Sequence, residues 1–300
     1  MPLQASASAL NCLTGLIWCN PRSQQEFAKE KLLASPLLGA TFQIDLPISS
    51  LMGAVLLALH GNTTQEGGFE QRIKALEVVE AFCTGNPEGQ LVLISTLKGD
   101  ISMSAPGTAI LESLFDLDSS RKRDPWHCWF ASLLLAHLIY GNEAAKQILL
   151  KHSIDDEEVL TVLMLSLVRI GNDSRGSTCQ KSIIGYLQLL TIWFHDSPVS
   201  INKFLQEGSF VQYLLERITQ QSSSLDTEIQ GLCALILGIC VVFNDETAKG
   251  FGSEALKGII KNRIGPDLFV NRLSRLRSLN DKVNIAFCTN CGYLIISFVE

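Results

Sequence analysis

The sequence predicts an all-α fold, an armadillo/HEAT-like right-handed α-solenoid, on three observations. Apolar helical stretches stop at sharp breaks of shared chemistry: Asn20-Pro21, Gly85-Asn86-Pro87, Gly141-Asn142-Glu143, Ser197-Pro198 and Asn244-Asp245. Several stretches are apolar all round, as expected for inner helices of a stacked array. Strict apolar–polar alternation and hairpin dipeptides, the marks of strands, are scarce. Counted from Asn20, Asn86, Asn142, Ser197 and Asn244, the breaks lie 66, 56, 55 and 47 residues apart. That is too irregular for ankyrin or tetratricopeptide units. It suits units of about 40–47 residues with two or three helices and lengthened loops.

In chain order, "ALNCLTGLIWC" forms a first helix, broken at Asn20-Pro21 before "RSQQEFAKEKLL". "DLPISSLMGAVLLALHGN" begins with an acid and ends in Gly-Asn, as does "DDEEVLTVLMLSLVRIGN" further on. "RIKALEVVEAFC", "FASLLLAHLIY" and "IGYLQLLTIWF" each run into a break and a following helix. At these breaks Gly85 and Gly141 can adopt the left-handed conformation that ends a helix. Asn20, Asn86, Asn142 or Ser197 then caps the next helix by accepting from its free amides. Pro at the first helical position fixes φ and loses no needed donor. "SMSAPGT", "LDSSRKRDP", "NDSRGST" and "QQSSSLD" read as inter-helix loops. Val211, Leu214, Leu215 and Ile218 make a helical stripe, and Leu256, Ile259 and Ile260 begin another.

"IQGLCALILGICVVFNDETAKG" poses a membrane question, because Ile229–Phe243 carries no charge over fifteen residues. A bilayer span needs roughly 20 apolar residues, and Asp226 and Glu228 flank this run where Lys or Arg would anchor one. It reads as a buried central helix.

Hydrophobic residues make up 47% of the 300 and charged residues 18%, which excludes a disordered chain. A net charge of −6 argues against nucleic acid as the main partner, and the one dense basic run, Arg121 to Arg123, reads as a solvated loop. The nine cysteines lie mostly in apolar stretches, Cys12, Cys83, Cys233 and Cys240 among them, and read as buried free thiols. "MPLQASASAL" lacks a basic n-region and an apolar h-region, so a reducing, cytosolic compartment is expected. The sequons at Asn62 and Asn172 then carry little weight.

Candidate chemistry is fragmentary. Cys288 and Cys291 form one Cys-x-x-Cys with no second ligand pair for a zinc site. His127, Cys128 and His137 contain a nucleophile and two bases, but His137 lies nearly three turns along the helix from His127, and no acid is spaced to orient either ring. "HGNTTQEGG", His60 to Gly68, lacks Walker spacing and a preceding strand. Asp155, Asp156, Glu157 and Glu158 read as acids at a helix start, favoured by the dipole. No catalytic, cofactor-binding or metal residue is expected, and no cofactor. The pattern points to an interaction scaffold whose partner-binding residues the sequence does not mark.

Glu228–Leu276, "EIQGLCALILGICVVFNDETAKGFGSEALKGIIKNRIGPDLFVNRLSRL", closely resembles one region of the general vesicular transport factor family. "LIWCNPRSQQEFA" and "IKALEVVEAFCTGNPEGQ" resemble earlier repeats of the same head, the second most like plant golgin-type members. The likeness extends over roughly Ala9 to Arg277. The resemblance implies an armadillo-like globular head of a Golgi vesicle tether, non-enzymatic, in ER–Golgi and intra-Golgi transport. It implies as partners Rab-type small GTPases, SNAREs and other tethers, with peripheral association on Golgi membranes. Relative to that family the chain starts partway into the head. Its ending, "NDKVNIAFCTNCGYLIISFVE", carries no heptads or acidic run and does not resemble the family.

The expected organisation is a repeat domain over 1–277 and a divergent, poorly ordered tail over 278–300. Deleting Asn280–Glu300 should then leave helicity and melting temperature nearly unchanged. The alternative function, a generic armadillo adaptor for extended peptides, wants Trp and Asn at one repeat position. Trp18, Trp126, Trp129 and Trp193 do not recur so. The first helix is apolar nearly all round, with Leu10, Leu13, Leu16, Ile17 and Trp18. Leu13 and Ile17 are expected on an exposed surface that promotes self-association.

Overall fold

The computed structural model describes residues 3–32, 48–61, 67–98, 105–116, 124, 126–172, 177–220 and 226–282. These are overwhelmingly helical and group into two compact units, Met1–Ile148 and Leu149–Glu300.

The first unit contains α1 (Leu3–Ile17), α2 (Pro21–Lys29), α3 (Ser50–His60), α4 (Gly68–Cys83), α5 (Pro87–Ser95), α6 (Pro106–Phe115) and α7 (His127–Ile139). Helix α4 is the hub and packs against α1, α3 and α7. Helix α7 is covered by α3, α4, α5 and α6, and every one of its residues is buried. Burial on all sides is why its sequence shows no polar face. Helix α8 (Glu143–Leu150) follows.

The second unit contains α9 (Val159–Asn172), α10 (Ser177–Phe194), α11 (Pro198–Gln206), α12 (Gly208–Thr219), α13 (Thr227–Val242), α14 (Ser253–Ile259) and α15 (Pro266–Lys282). Its hub is α13, packed by α10, α12, α14 and α15. Ile229 to Cys240 are buried without interruption. Gly231 lets α15 approach closely, since a Cβ there would lie 2.7 Å from Leu276 Cβ. Among the described residues no helix is long and apolar enough to cross a membrane. The uncharged run is thus a helix enclosed by protein over Ile229–Cys240, with Val242 60% exposed at its end. Val211, Leu214, Leu215 and Ile218 are likewise buried.

The helix corners share one construction. Cys19, Gly85, Gly141 and Asp196 each take a left-handed φ, between 50° and 66°. The next amide donates back to the carbonyl three residues earlier, as Asn86 N does to Cys83 O at 3.1 Å. The Oδ1 atoms of Asn20, Asn86 and Asn142 then accept from Ser23 N, Gly89 N and Ala145 N at 3.0–3.2 Å. Ser197 departs from the expected capping. It holds the N-cap position of α11 without a side-chain bond to an amide, and its hydroxyl meets Ser200 Oγ at 3.0 Å. The break at Asn244-Asp245 is not a tight corner: α13 ends at Val242 and α14 starts only at Ser253. Asn244 spans this loop by donating to Phe251 O at 2.7 Å. Changing Asn86 to Ala should cost about 0.5–2 kcal/mol, measurable by urea denaturation, because the side chain also donates to Phe82 O at 3.1 Å.

Three further expectations need correction. Asp155 and Asp156 do not open a helix. They adopt φ of 50° and 67° and form the turn of a small antiparallel hairpin in which Ser153–Ile154 pairs with Glu157–Glu158. Two consecutive positive φ values are what a two-residue hairpin turn requires, and Asp tolerates them. Helix α9 begins only at Val159. A second short ladder, Lys31–Leu32 with Ile48–Ser49, ends the stretch read as helix after Asn20. Ile17 is the third correction: it is 2% exposed, on the α1 side packed against α4. The outward residues are Leu16, 66% exposed, and Trp18, 41%.

Helix α15 continues through Lys282, past the expected boundary at 277. Residues 283–300, with Cys288 and Cys291, lie outside the described residues, as do Arg121–Arg123 and most of the His60–Gly68 loop.

Candidate functional site

The fold brings two of the candidate fragments together, because His60 lies against His127. The His127 ring places Nδ1 3.1 Å from Leu59 O and stacks on His60 with centroids 5.0 Å apart. The neighbouring Cys128 directs Sγ at Leu114 O, 3.6 Å away. Asp124, the acid nearest in sequence, accepts from Arg72 Nη1 at 2.6 Å and from Trp126 N at 3.0 Å. His127 Nδ1 and Cys128 Sγ thus address different carbonyls. Among the described residues no three His, Cys, Asp or Glu side chains converge to hold a metal.

Cys12, read as buried, is exposed, whereas Cys83, Cys233 and Cys240 are buried as expected. Burial pushes the Cys233 thiol up to about 12 and also raises Cys240 well above its ordinary range. Neither supplies thiolate near neutrality.

Buried polar side chains instead grip the ends of helices, where carbonyls lack intrahelical donors. Gln24 Nε2, on α2, donates to Ala81 O and Thr84 O at the end of α4, at 2.9 and 3.0 Å. Gln90 Nε2, on α5, does the same at the end of α7, reaching His137 O and Tyr140 O, both at 2.9 Å. Each glutamine stands four residues after a corner asparagine, so the repeat is visible in the sequence once the corners are aligned. Asn142 adds a link by donating to Pro87 O and Gln90 Oε1 at 3.1 Å.

Arginines serve other helix ends. Arg72 Nε and Nη2 donate to Ala58 O and Leu59 O at 2.8 and 2.9 Å, with Cζ 4.1 Å from the centre of the Phe130 ring. Arg217 Nη2 donates to Gly171 O at 2.6 Å. Arg272 donates to Ile218 O and Gln220 O, both at 3.2 Å, and Gln230 joins at Gln220 O, 2.9 Å. Composition gave no hint of these clamps, since a lone arginine in an apolar helix can face either way. They leave the buried polar groups to geometry rather than reaction.

Burial raises the Glu228 carboxyl above its ordinary range, against the opposing pull of Lys181. A folded-state value above the unfolded one favours folding at low pH. That advantage is lost as pH rises from the ordinary carboxylate range through the raised value. Glu228→Gln should therefore be more stable than the parent at pH 7, with the gap closing below the ordinary carboxylate range. Melting curves across pH check this.

Predominantly helical packing fixed by corner caps and carbonyl clamps defines a protein of the helical-repeat class. The chain belongs to the family described as Uso1/p115-like vesicle tethering protein, head region, which it matches over residues 20–286. It is 29% identical to mouse general vesicular transport factor p115, with 77% of this chain aligned to 24% of that protein. It is 24% identical to Golgin candidate 6 of Arabidopsis thaliana, over 92% of this chain and 31% of the relative. A crystal structure of Uso1 shares the fold, with a TM-score of 0.74 at 17% identity, covering 97% of this chain and 45% of that one. The chain spans about a quarter of the p115 relatives' length.

Proposed function

We propose that the chain acts as a non-enzymatic vesicle-tethering head that binds proteins in ER–Golgi and intra-Golgi transport. The observation that carries this reading is the match to a tether head over residues 20–286. The clamps support it, because a scaffold whose buried donors hold helix ends can present a fixed outer surface. The partners proposed are a Rab-type small GTPase, SNAREs and other tethers, met on the cytoplasmic side of Golgi membranes. The repeat head runs through the end of α15 at Lys282, and no cofactor is required. Affinity capture from a Golgi extract tests it: beads bearing the chain should retain GTPases loaded with a GTP analogue and release them with GDP. Retention of extended peptides alone would favour a generic adaptor.

Self-association belongs to the same reading, through the outer side of α1. Changing Leu16 and Trp18 together to Gln should abolish concentration-dependent sedimentation while preserving helicity. A parent chain that stays monomeric at high concentration contradicts it.

A further inference from the structure

The charge of the chain is divided unevenly. Residues 249–282 hold eight basic and three acidic residues, a net +5, while the remainder holds 16 basic and 27 acidic, a net −11. The basic stretch consists of α14, a π-helical turn (Ile260–Ile264) and α15, with the turn packed against both helices. The turn is closed by Gly265 N donating to Ile260 O at 2.9 Å, with Gly265 at φ 88°. It presents Lys261, Asn262 and Arg263 consecutively to solvent. A single π-turn within a helix is often found at functional sites.

We propose that this basic end of the second unit binds an anionic lipid surface. Lys257 is partly neutralised by Glu254 at 2.7 Å. Lys249, Lys261, Arg263 and Arg275 are exposed, and among the described residues none of the four has a carboxylate or hydrogen-bonded partner. A peptide site would hold its arginines in a fixed fork, oriented by supporting hydrogen bonds. Exposed, unbraced cations instead suit the diffuse charge of lipid headgroups. On α15 the exposed stripe also carries Val270, 58% exposed, an apolar side chain able to enter the headgroup boundary. The acidic remainder of the second unit is repelled by the same surface, so the field favours orientations of that unit with its basic end inward.

This contact goes beyond the protein-binding reading, and either can fail alone because GTPase binding is measured without vesicles. The test is co-sedimentation of the full chain with phosphatidylcholine vesicles, with and without phosphatidylserine. Binding should require phosphatidylserine, fall steeply with added salt and drop at least about tenfold in the Lys261→Glu/Arg263→Glu/Arg275→Glu variant. The corresponding triple Gln variant, checked for helicity and melting temperature, reads the same loss if charge reversal disturbs folding. Arg22→Glu, on exposed α2, should bind as the parent does. Equal binding to neutral vesicles, unchanged binding by a folded Gln variant, or binding to polyglutamate with none to vesicles would each overturn the proposal.

Discussion

Replacing Arg72 by Met should lower the free energy of unfolding by about 3–5 kcal/mol, the range for removing one member of a buried, hydrogen-bonded ion pair. Arg72 is fully buried, and its guanidinium serves three partners at once: Ala58 O, Leu59 O and the Asp124 carboxylate. Met fills most of the volume but donates nothing. Ala58 O and Leu59 O at the end of α3 lose the guanidinium, leaving Leu59 O with only the His127 ring at 3.1 Å, and Asp124, one quarter exposed, loses its cation. Desolvation already lowers the Arg72 pKa, with Asp124 opposing that shift, so the site tolerates the charge only because the partners are present. Chemical denaturation checks the prediction. A loss below about 1 kcal/mol, the scale of an exposed pair, would show that the cluster is more solvated than the structure indicates.

Leu235→Ala should cost about 2–5 kcal/mol, from lost transfer free energy plus the cavity left behind. Leu235 is 1% exposed, midway along a helix enclosed by α10, α12, α14 and α15. Rigid neighbours on several sides limit collapse into the vacated space, which places the cost toward the upper end. The result also separates the two explanations of the uncharged run. A membrane-inserted helix would lose little stability to this change in water and would resist carbonate extraction, whereas a packed helix does the opposite.

The corners were the most legible part of the fold because their chemistry is local. A left-handed residue and an asparagine cap follow one another in sequence, with a proline next after Asn20 and Asn86, so Asn20, Asn86 and Asn142 could be placed without knowing what packs against what. Asp155 and Asp156 were misread for a related reason: acids suit both a helix start and a tight turn, and only pairing of Ser153 with Glu158 decides between them. Ile17 was unreadable because a helix apolar all round has no period to fix its orientation. The clamps were hidden in the same way. Gln24 and Gln90 stand at matching distances from their corners, yet the carbonyls they reach lie 57 and 47 residues away at the nearest. No local rule spans that separation.

The most direct test of the tether-head reading is equilibrium binding of the purified chain to Golgi Rab-type GTPases in their two nucleotide states. The account predicts saturable binding with at least about a tenfold preference for the GTP form, a difference of about 1.4 kcal/mol. A folded chain that binds neither form, or both equally, would contradict it.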